Sequence, residues 1–318
     1  MPIAPGWRKR TISAMLRIEP VRPRDLERAV AVLVGDRDPA GRTAGFLTLL
    51  SGPEASRCNL WWVRSLRRAA AAAMTVRNPG QSASVFHSPP RGAATVKILT
   101  RLLRELTQAT LQGGAAFVQA LLRPDAQADA QAYLQAGYEF IANLIYLRRG
   151  VAGAAEEESG ELTWTVLRES SEEELARVIA DTYVDSLDCP GLLGVRRMED
   201  VIAGHKSNGI LRPDAWFLPS VKGQTVGCVL VNDSAGRNDE SEIVYLGVRP
   251  AWRGRGFGRA MVRHALAHAA GRRRGQMCLA VDAGNTPAVR LYRSEGFREV
   301  DRKDVYVRLS GGGMAGGN

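Results

Sequence analysis

The stretch that decides the fold runs from Glu242 to His268 and reads EIVYLGVRPAWRGRGFGRAMVRHALAH. Its first seven residues alternate as in a β-strand, with Ile243, Tyr245 and Gly247 on one face and Val244, Leu246 and Val248 on the other. A loop with three glycines, residues 253–258, then leads directly into a predicted helix. Glycines at a helix N-terminus let main-chain N–H groups approach an anion, and the helix dipole favours negative charge there. We therefore predict that this loop binds a diphosphate.

The spacing of the glycines excludes two other folds that place a glycine-rich loop between a strand and a helix. The dinucleotide fold needs G-x-G-x-x-G, and the ATP-binding loop needs G-x-x-x-x-G-K-[ST]. Here the glycines stand at 254, 256 and 258, and no Lys-Ser or Lys-Thr pair follows them. Arg253-x-x-Gly256-x-Gly258 fits R/Q-x-x-G-x-G/A instead. The segment thereby resembles the coenzyme A signature of the GCN5-related N-acetyltransferases, the GNAT superfamily.

A second motif lies further along the same half and reads NTPAVRLYRSEGF from Asn285 to Phe297. It is similar to the family pattern N-x-x-A-x-x-L-Y-x-x-x-G-F. With two motifs in the family's order, the C-terminal half is identified as a member of the superfamily. The resemblance implies an α/β (α+β) fold with a mixed, mostly antiparallel central sheet flanked by helices. It also implies acetyl-CoA as co-substrate, without a metal.

The chain matches itself at a shift of 159 residues. At this shift YLQAGY, residues 133–138, falls on YRSEGF, residues 292–297. We therefore predict two tandem GNAT folds, each ending in a hairpin that covers 298–309 in the second copy, and we interpret Ala69–Met74 as a buried strand of the first copy. The predicted divisions are a degenerate GNAT-like domain at 12–149, a linker at 150–160, an acetyltransferase domain at 161–310 and a disordered tail at 311–318.

The first copy lacks the features of the cofactor site. At the same shift Glu242 falls on Ala83, and Asn285 falls on Ala126. The loop equivalent is Pro89-Pro-Arg-Gly-Ala-Ala94, in which two prolines remove backbone donors that an anion would need. We expect this copy to shape the substrate cleft or to stabilise the pair rather than to hold coenzyme A.

Composition limits the class of protein. The chain has 318 residues, no apolar run long enough for a membrane span and no signal-peptide pattern. Its four cysteines show no metal or disulfide spacing, so we expect a cytoplasmic protein with reduced thiols. The net charge of +10 arises in residues 1–150, where 21 Lys and Arg face 10 Asp and Glu. This excess indicates either an acidic partner or an arginine-rich composition. No motif indicates nucleic acid, no membrane partner is predicted, and the oligomeric state stays open.

The resemblance assigns the coenzyme A contacts to two neighbouring segments. In the family the strand equivalent to 242–248 separates from the next strand, and the pantetheine amides pair with its exposed backbone. This implies backbone contacts at Leu246, Gly247 and Val248, with the Val248 N–H directed at the thioester oxygen. The diphosphate contacts are assigned to the loop and helix start, which comprise Arg253, Gly254, Arg255, Gly256, Phe257, Gly258 and Arg259.

Two side chains are candidates for proton transfer, which is needed because an alkyl amine is mostly protonated at neutral pH. The resemblance implies that Glu242 accepts the proton through water; the alternative is a solvated glutamate at a strand start. It also implies that Tyr292 protonates the departing thiolate; the alternative is a core tyrosine, which Tyr133 shows in the first copy. Asn285 is predicted to bond the pantetheine arm, to cap the helix at Thr286, or to do both.

Three further groups of residues have a possible functional role. His264 and His268 lie four residues apart, but Ala265 replaces the glutamate of a zinc motif, so we interpret them as surface residues. The arginines 272–274 suit a helix C-terminus and could approach an adenosine phosphate. Residues 188–191, Asp-Cys-Pro-Gly, are expected either in a substrate wall or in a plain turn.

The sequence therefore predicts an acyltransferase that moves an acetyl group from acetyl-CoA to a primary amine of a small molecule or peptide by direct attack in a ternary complex. The alternative is a non-catalytic acyl-CoA sensor or adaptor whose basic N-terminal half docks an acidic partner.

Overall fold

The computed structural model describes residues 16–35, 41–64, 69–153, 161–167 and 172–311. Most of the predicted linker (154–160) and of the predicted tail (312–318) lies outside these residues. The described chain forms two compact units that interleave along the sequence. In the described part of the chain, no helix combines the length and the apolar character that a bilayer span requires.

The first unit takes its described residues from 16–76, 84–113 and 127–138. Its strands are β1 (Arg17–Pro20), β2 (Cys58–Arg64), β3 (Ala69–Asn78) and β4 (Ser82–His87), the last two extending into 77–83. Its helices are α1 (Leu26–Val34), α2 (Arg42–Ser51), α3 (Ala93–Gln112) and α4 (Gln127–Gln135). The alanine run at 69–74 was predicted as a buried strand and is confirmed as the start of β3, where residues 71–74 are almost fully buried.

The second unit comprises 77–83, 114–126 and the described residues from 139 to 311. Its strands are β5 (Phe117–Leu122), β6 (Glu139–Gly150), β7 (Thr163–Val166), β8 (Trp216–Val221), β9 (Gln224–Thr225), β10 (Gly227–Asp233), β11 (Glu240–Val248), β12 (Gln276–Asp282) and β13 (Arg298–Leu309). Its helices are α5 (Glu172–Tyr183), α6 (Met198–Ser207), α7 (Phe257–Gly271) and α8 (Thr286–Ser294).

The sheet of this unit has the order β5-β13-β6-β12-β11-β10-β8-β7, with β9 beside β8. The pairing of β11 with β12 is parallel, whereas β12–β6, β13–β6, β10–β11 and β8–β10 are antiparallel. Helices cover both faces: α7 and α8 pack on one apolar cluster, and α5 and α6 pack on another. This is the mixed, mostly antiparallel sheet flanked by helices that the sequence predicts.

The predicted hairpin at 298–309 is wrong, because β13 is one continuous strand. It pairs with β5 on one side and β6 on the other, and two register shifts along the β6 pairing adjust it to its neighbour. No Gly lies within 298–309, so the segment lacks the residue that two-residue hairpin turns favour most. As a result β6, which precedes the predicted linker, lies between β12 and β13 and completes the sheet of the second unit.

Candidate active site

The parallel strands β11 and β12 separate within the second unit. Their pairing covers Glu240–Ile243 against Gln276–Leu279, whereas β12 continues to Asp282 along β6. Beyond Ile243, strand β11 is paired with β10 alone. A cavity of about 810 Å³ opens at this separation and is lined by residues 243–248 of β11 and by Ala280 and Val281 of β12.

A β-bulge at Val244 changes the predicted alternation of β11. Leu230 of β10 faces Tyr245, but the next residue, Val231, faces Ile243, so β11 has one residue more than its partner. Ile243 therefore packs with Leu246 and Val248 on the α7 face, while Val244 and Tyr245 pack on the α5 face. The prediction that Ile243 shares a face with Tyr245 is wrong, because a bulge reverses the alternation after it.

The glycine-rich loop ends at the N-terminus of α7, next to the cavity. Gly254 and Gly256 have φ values of 74° and 85°, where a side chain is disfavoured, and Gly256 is the N-cap of α7. A Cβ on Gly258 would lie 3.2 Å from Leu291 of α8, so here a small residue is needed for close packing. Within the described residues, the five consecutive N–H groups of residues 254–258 have no acceptor in the protein. Such a row of free donors at a helix start is suited to bind an anion.

The two arginines of the loop and Arg259, at the start of α7, have different surroundings. The guanidinium of Arg253 donates to the carbonyl oxygens of Val248 (3.0 Å), Thr182 (3.0 Å) and Val184 (2.7 Å). Arg255 lies over the Trp252 ring, 5.2 Å from its centroid, and does not line the cavity. Arg259 does line it, with Nε 3.1 Å from a carboxylate oxygen of Glu295. The Arg253 side chain thus joins α5 to β11. The backbone of Arg253 and the residue Arg259 face the cavity.

Gly247 lets α5 approach β11 closely. A Cβ there would lie 2.7 Å from Thr182 Oγ1 and 2.9 Å from Tyr245 Oη. Thr182 Oγ1 donates to the carbonyl of Ile179 at 2.7 Å and lies 2.7 Å from Tyr245 Oη, so Tyr245 donates in the second bond. Neither Thr182 nor Tyr245 is part of a motif, and sequence reasoning missed both.

Tyr292 lies on α8, is 7% exposed and lines the cavity. Burial, followed by the charge of the Asp188 carboxylate, raises the pKa of Tyr292 well above its ordinary value, so its hydroxyl is protonated at neutral pH. Asn285, the N-cap of α8, also lines the cavity, and its Oδ1 accepts the Ala288 N–H at 3.3 Å. The capping role predicted for Asn285 is confirmed.

Glu242 lies next to the cavity rather than in its lining. Its Oε1 accepts a hydrogen bond of 3.1 Å from Asn208 Nδ2. Burial raises the pKa of Glu242, the Asn208 hydrogen bond opposes this, and the nearby Glu240 adds to it. The Glu242 charge in turn contributes to the raised pKa of Tyr146 on β6, which burial mainly causes and brings to about 12. A partly buried carboxylate with a raised pKa beside a cavity is suited to accept a proton.

Comparison with known proteins identifies the fold around this cavity. Residues 182–297, which carry the separated strands, the glycine loop and Tyr292, match the model of the acetyltransferase (GNAT) family. Residues 182–297 therefore form a GNAT domain. Two solved GNAT structures cover 94% of the chain: a GCN5-related N-acetyltransferase from Sphaerobacter thermophilus (TM-score 0.63, 20% identity, 97% of that chain) and a tandem GNAT protein from the clavulanic acid biosynthesis pathway (TM-score 0.55, 13% identity, 99% of that chain).

Curated relatives match a smaller share of the chain. A mycothiol acetyltransferase from Acidothermus cellulolyticus is 36% identical over 118 residues, which are 33% of this chain and 35% of that protein. The N-alpha-acetyltransferase RimI from Mycobacterium tuberculosis is 43% identical over 72 residues, which are 23% of this chain and 44% of that protein. The chain thus spans less than half of the length of either relative.

In the first unit, two polar side chains meet beside the buried Tyr133. His87, which falls on Leu246 at the shift of 159, lies with Nε2 3.5 Å from Asp129 Oδ1. Its ring packs edge-on against the fully buried Tyr133, the counterpart of Tyr292. Burial lowers the pKa of His87, although Asp129 opposes this. At the shift of 159, an imidazole thus stands at the position of Leu246, which lines the cavity in the second unit.

The remaining candidates have structural roles in the GNAT unit. His264, predicted at the surface, is instead half-buried and stacks on Trp164 with centroids 3.7 Å apart; its position on α7 faces β7 and β8, which the sequence did not reveal. Arg272 and Arg274 each lie 2.7 Å from Asp233 Oδ2. Residues 185–188, by contrast, line the cavity.

Proposed function

We propose that the second unit transfers an acetyl group from acetyl-CoA to a primary amine. The observation that carries this proposal is the row of five free N–H groups, residues 254–258, at the mouth of the cavity where β11 leaves β12. A diphosphate is an anion of the size and charge that such a row binds. The open edge of β11 then provides backbone groups for the amides of a pantetheine arm. The coenzyme A contacts are thus proposed at Leu246, Gly247, Val248 and residues 253–259, with Asn285 beside them.

The register of β11 supports an oxyanion donor at Val248. The Arg249 N–H donates to the Val226 carbonyl, so the following antiparallel pair, Val248 with Gly227, is not hydrogen-bonded. The Val248 N–H therefore points away from β10 and toward the separation between the strands. A donor there stabilises the negative charge that develops on the thioester oxygen when the amine attacks.

Two side chains complete the proposed reaction. The amine nitrogen bonds to the thioester carbonyl carbon. The nitrogen loses a proton to Glu242 through water, and the C–S bond breaks. Tyr292 then gives its hydroxyl proton to the thiolate. Both assignments rest on the chemistry of the groups: Glu242 is a carboxylate with a raised pKa, and Tyr292 is a protonated phenol in the cavity wall.

The acceptor is proposed by class only. One relative is named a mycothiol acetyltransferase and another an N-alpha-acetyltransferase, and each aligns over a small part of its length. Because the two names differ in their acceptor, the proposal covers an amine of either a small molecule or a peptide.

The experiment is a thiol-release assay with acetyl-CoA and a panel of amines that includes small diamines, amino sugars and peptides with free N-termini. We expect amine-dependent release of coenzyme A and a loss of about 10²-fold in kcat for Tyr292→Phe. Tyr138→Phe removes a hydroxyl from the first unit and serves as the control. If acetyl-CoA binds but no acceptor is modified, and Glu242→Gln changes nothing, the sensor or adaptor alternative replaces this proposal.

A further inference from the structure

One wall of the cavity is acidic, and the proposed chemistry does not use it. It is formed by the loop between α5 and α6, from which Asp185, Ser186, Leu187 and Asp188 line the cavity. This wall shares the cavity with Tyr292 and Ala280. Asp188 is exposed at this wall. Nearby protein atoms reduce the hydration of its carboxylate and so raise the pKa of Asp188; the hydrogen bond from the Asp282 backbone opposes this, and the Asp282 charge adds to it.

The Asp188 carboxylate is held in place by reciprocal contacts with the end of β12. Asp188 Oδ1 accepts the Asp282 N–H at 3.3 Å, and Asp282 Oδ2 accepts the Cys189 N–H at 3.2 Å. Asp282 Oδ1 also accepts the Gly284 N–H at 2.9 Å. The loop is therefore fixed to the strand that forms one side of the cavity.

The backbone beside Asp188 adopts an uncommon conformation. Cys189 has a φ of 45° although it is not glycine, and such a residue persists only where its surroundings enforce it. The enforcing contacts are apolar: Cys189, Leu192 and Val195 pack against a cluster that includes Phe117 of β5 and Val305 of β13. The neighbouring strands β5 and β13 thus support the loop that carries Asp188.

Among the described side chains, no cation pairs with the Asp188 carboxylate. Within the described residues, neither Asp188 nor Asp282 has an ion pair with Lys, Arg or His. By contrast, Asp181, on the preceding helix, pairs with Arg249 at 2.5 Å, and Asp233 pairs with three arginines. A fixed carboxylate that faces a cavity without a protein cation is suited to bind a cation supplied by a ligand.

We infer that Asp188 is a positioning residue that binds the acceptor as its ammonium ion beside Tyr292, so that the substrate class is cationic alkyl amines rather than neutral arylamines. This inference rests on the proposed acetyl transfer. The carboxylate holds the nitrogen in the cavity before deprotonation, and Glu242 remains the proton acceptor. Transfer to a neutral amine does not use this contact.

The test compares two acceptors and two variants of the same loop. For Asp188→Asn we expect the KM of an alkyl diamine to rise at least tenfold, with a much smaller change in kcat. The KM of a neutral arylamine and the affinity for acetyl-CoA should stay unchanged. Asp185→Asn is the matched control, because it removes an equal charge from the same wall but lacks the contacts with Asp282. Equal effects of the two variants, or equal KM changes for both acceptors, would overturn the inference.

A second measurement uses the unmodified protein and decides the matter if Asp188→Asn does not fold. Alkyl ammonium ions should inhibit competitively with the acceptor, and alcohols of the same shape should not. Inhibition by both to the same degree would refute cation binding. If the unmodified protein acetylates no amine at all, the proposed function itself fails; if it acetylates alkyl amines and Asp188→Asn leaves every KM unchanged, only the role of Asp188 fails.

Discussion

The side-chain oxygens of Thr182 and Tyr245 lie 2.7 Å apart, and this hydrogen bond ties the last turn of α5 to strand β11. Tyr245 follows the bulge residue Val244 and lines the cavity. The bond therefore joins the helix that leads into the acidic loop to the strand that leaves β12. It fixes two walls of the cavity relative to each other.

Removal of this hydrogen bond is expected to lower the stability of the protein. We expect Tyr245→Phe to lower the free energy of unfolding by about 1 kcal/mol, since Thr182 keeps its bond to Ile179 and one hydrogen bond is lost. The measurement is urea denaturation at pH 7. Tyr183→Phe is the control, because the Tyr183 hydroxyl has no hydrogen-bond partner among the described residues. An equal loss of stability in both variants would contradict the role given to the bond.

Gly256 is expected to be essential for the form of the loop. Its φ of 85° belongs to the left-handed region, where an L-residue costs about 1–2 kcal/mol. We therefore expect Gly256→Ala to reorient the free N–H groups and to weaken acetyl-CoA binding at least tenfold. Gly271→Ala, at the other end of α7, has open space around the new Cβ and serves as the control. Unchanged acetyl-CoA affinity in Gly256→Ala would show that the loop does not hold the ligand.

The raised pKa of Glu242 sets the direction of a pH effect. A proton acceptor must be ionised, so kcat/KM should rise with pH through the pKa of Glu242, which burial places above its ordinary value of about 4.3. In Glu242→Gln this limb of the profile should vanish, and kcat/KM should fall by about 10²-fold. Asp239→Asn, an exposed carboxylate just before β11, should leave the limb in place. Persistence of the limb in Glu242→Gln would assign the base elsewhere.

Asp233 is expected to contribute to stability in a pH-dependent manner. Burial would raise its pKa, but hydrogen bonds from Arg272, Arg212 and Ser241 lower the pKa of Asp233 to about 2. Since the unfolded value is about 3.9, the stabilisation is present above pH 4 and is lost as the pH falls toward 2. We expect Asp233→Asn to lower the free energy of unfolding by about 3 kcal/mol at pH 7, because it leaves three arginines without their shared carboxylate.

Denaturation of Asp233→Asn at pH 7 and at pH 2.5 checks this expectation. The difference from the unmodified protein should shrink at the lower pH. Glu199→Gln, in an exposed pair with Arg197, is the control and should show no resolvable change at either pH. A difference of the same size at both pH values would rule out ionisation of Asp233 as its cause.

The sequence predicted the parts of the site that depend on local patterns. The glycine loop at 253–258, the helix that follows it and the cap at Asn285 need only particular residues at fixed spacing, and the structure contains each of them. The fold class followed from the same motifs. Local patterns, however, do not indicate contacts between distant segments.

The features that were missed depend on such contacts. The bulge at Val244 arises from pairing with β10, and the single strand β13 arises because β5 and β6 offer partners on both sides. The Arg253 side chain was assigned to the loop, but carbonyl oxygens of α5 bind it. The position of Asp188 beside Tyr292 joins segments about a hundred residues apart, so a substrate wall and a plain turn both stayed possible from local patterns.

The central claim is that the N–H groups of residues 254–258 hold the diphosphate of acetyl-CoA while its thioester arm lies where β11 leaves β12. Isothermal titration calorimetry with acetyl-CoA tests it most directly. The account predicts saturable binding at one site per chain, weakened in Gly256→Ala and unaffected in Gly271→Ala. An absence of heat with both acetyl-CoA and coenzyme A, in folded protein whose melting temperature neither ligand raises, would contradict it.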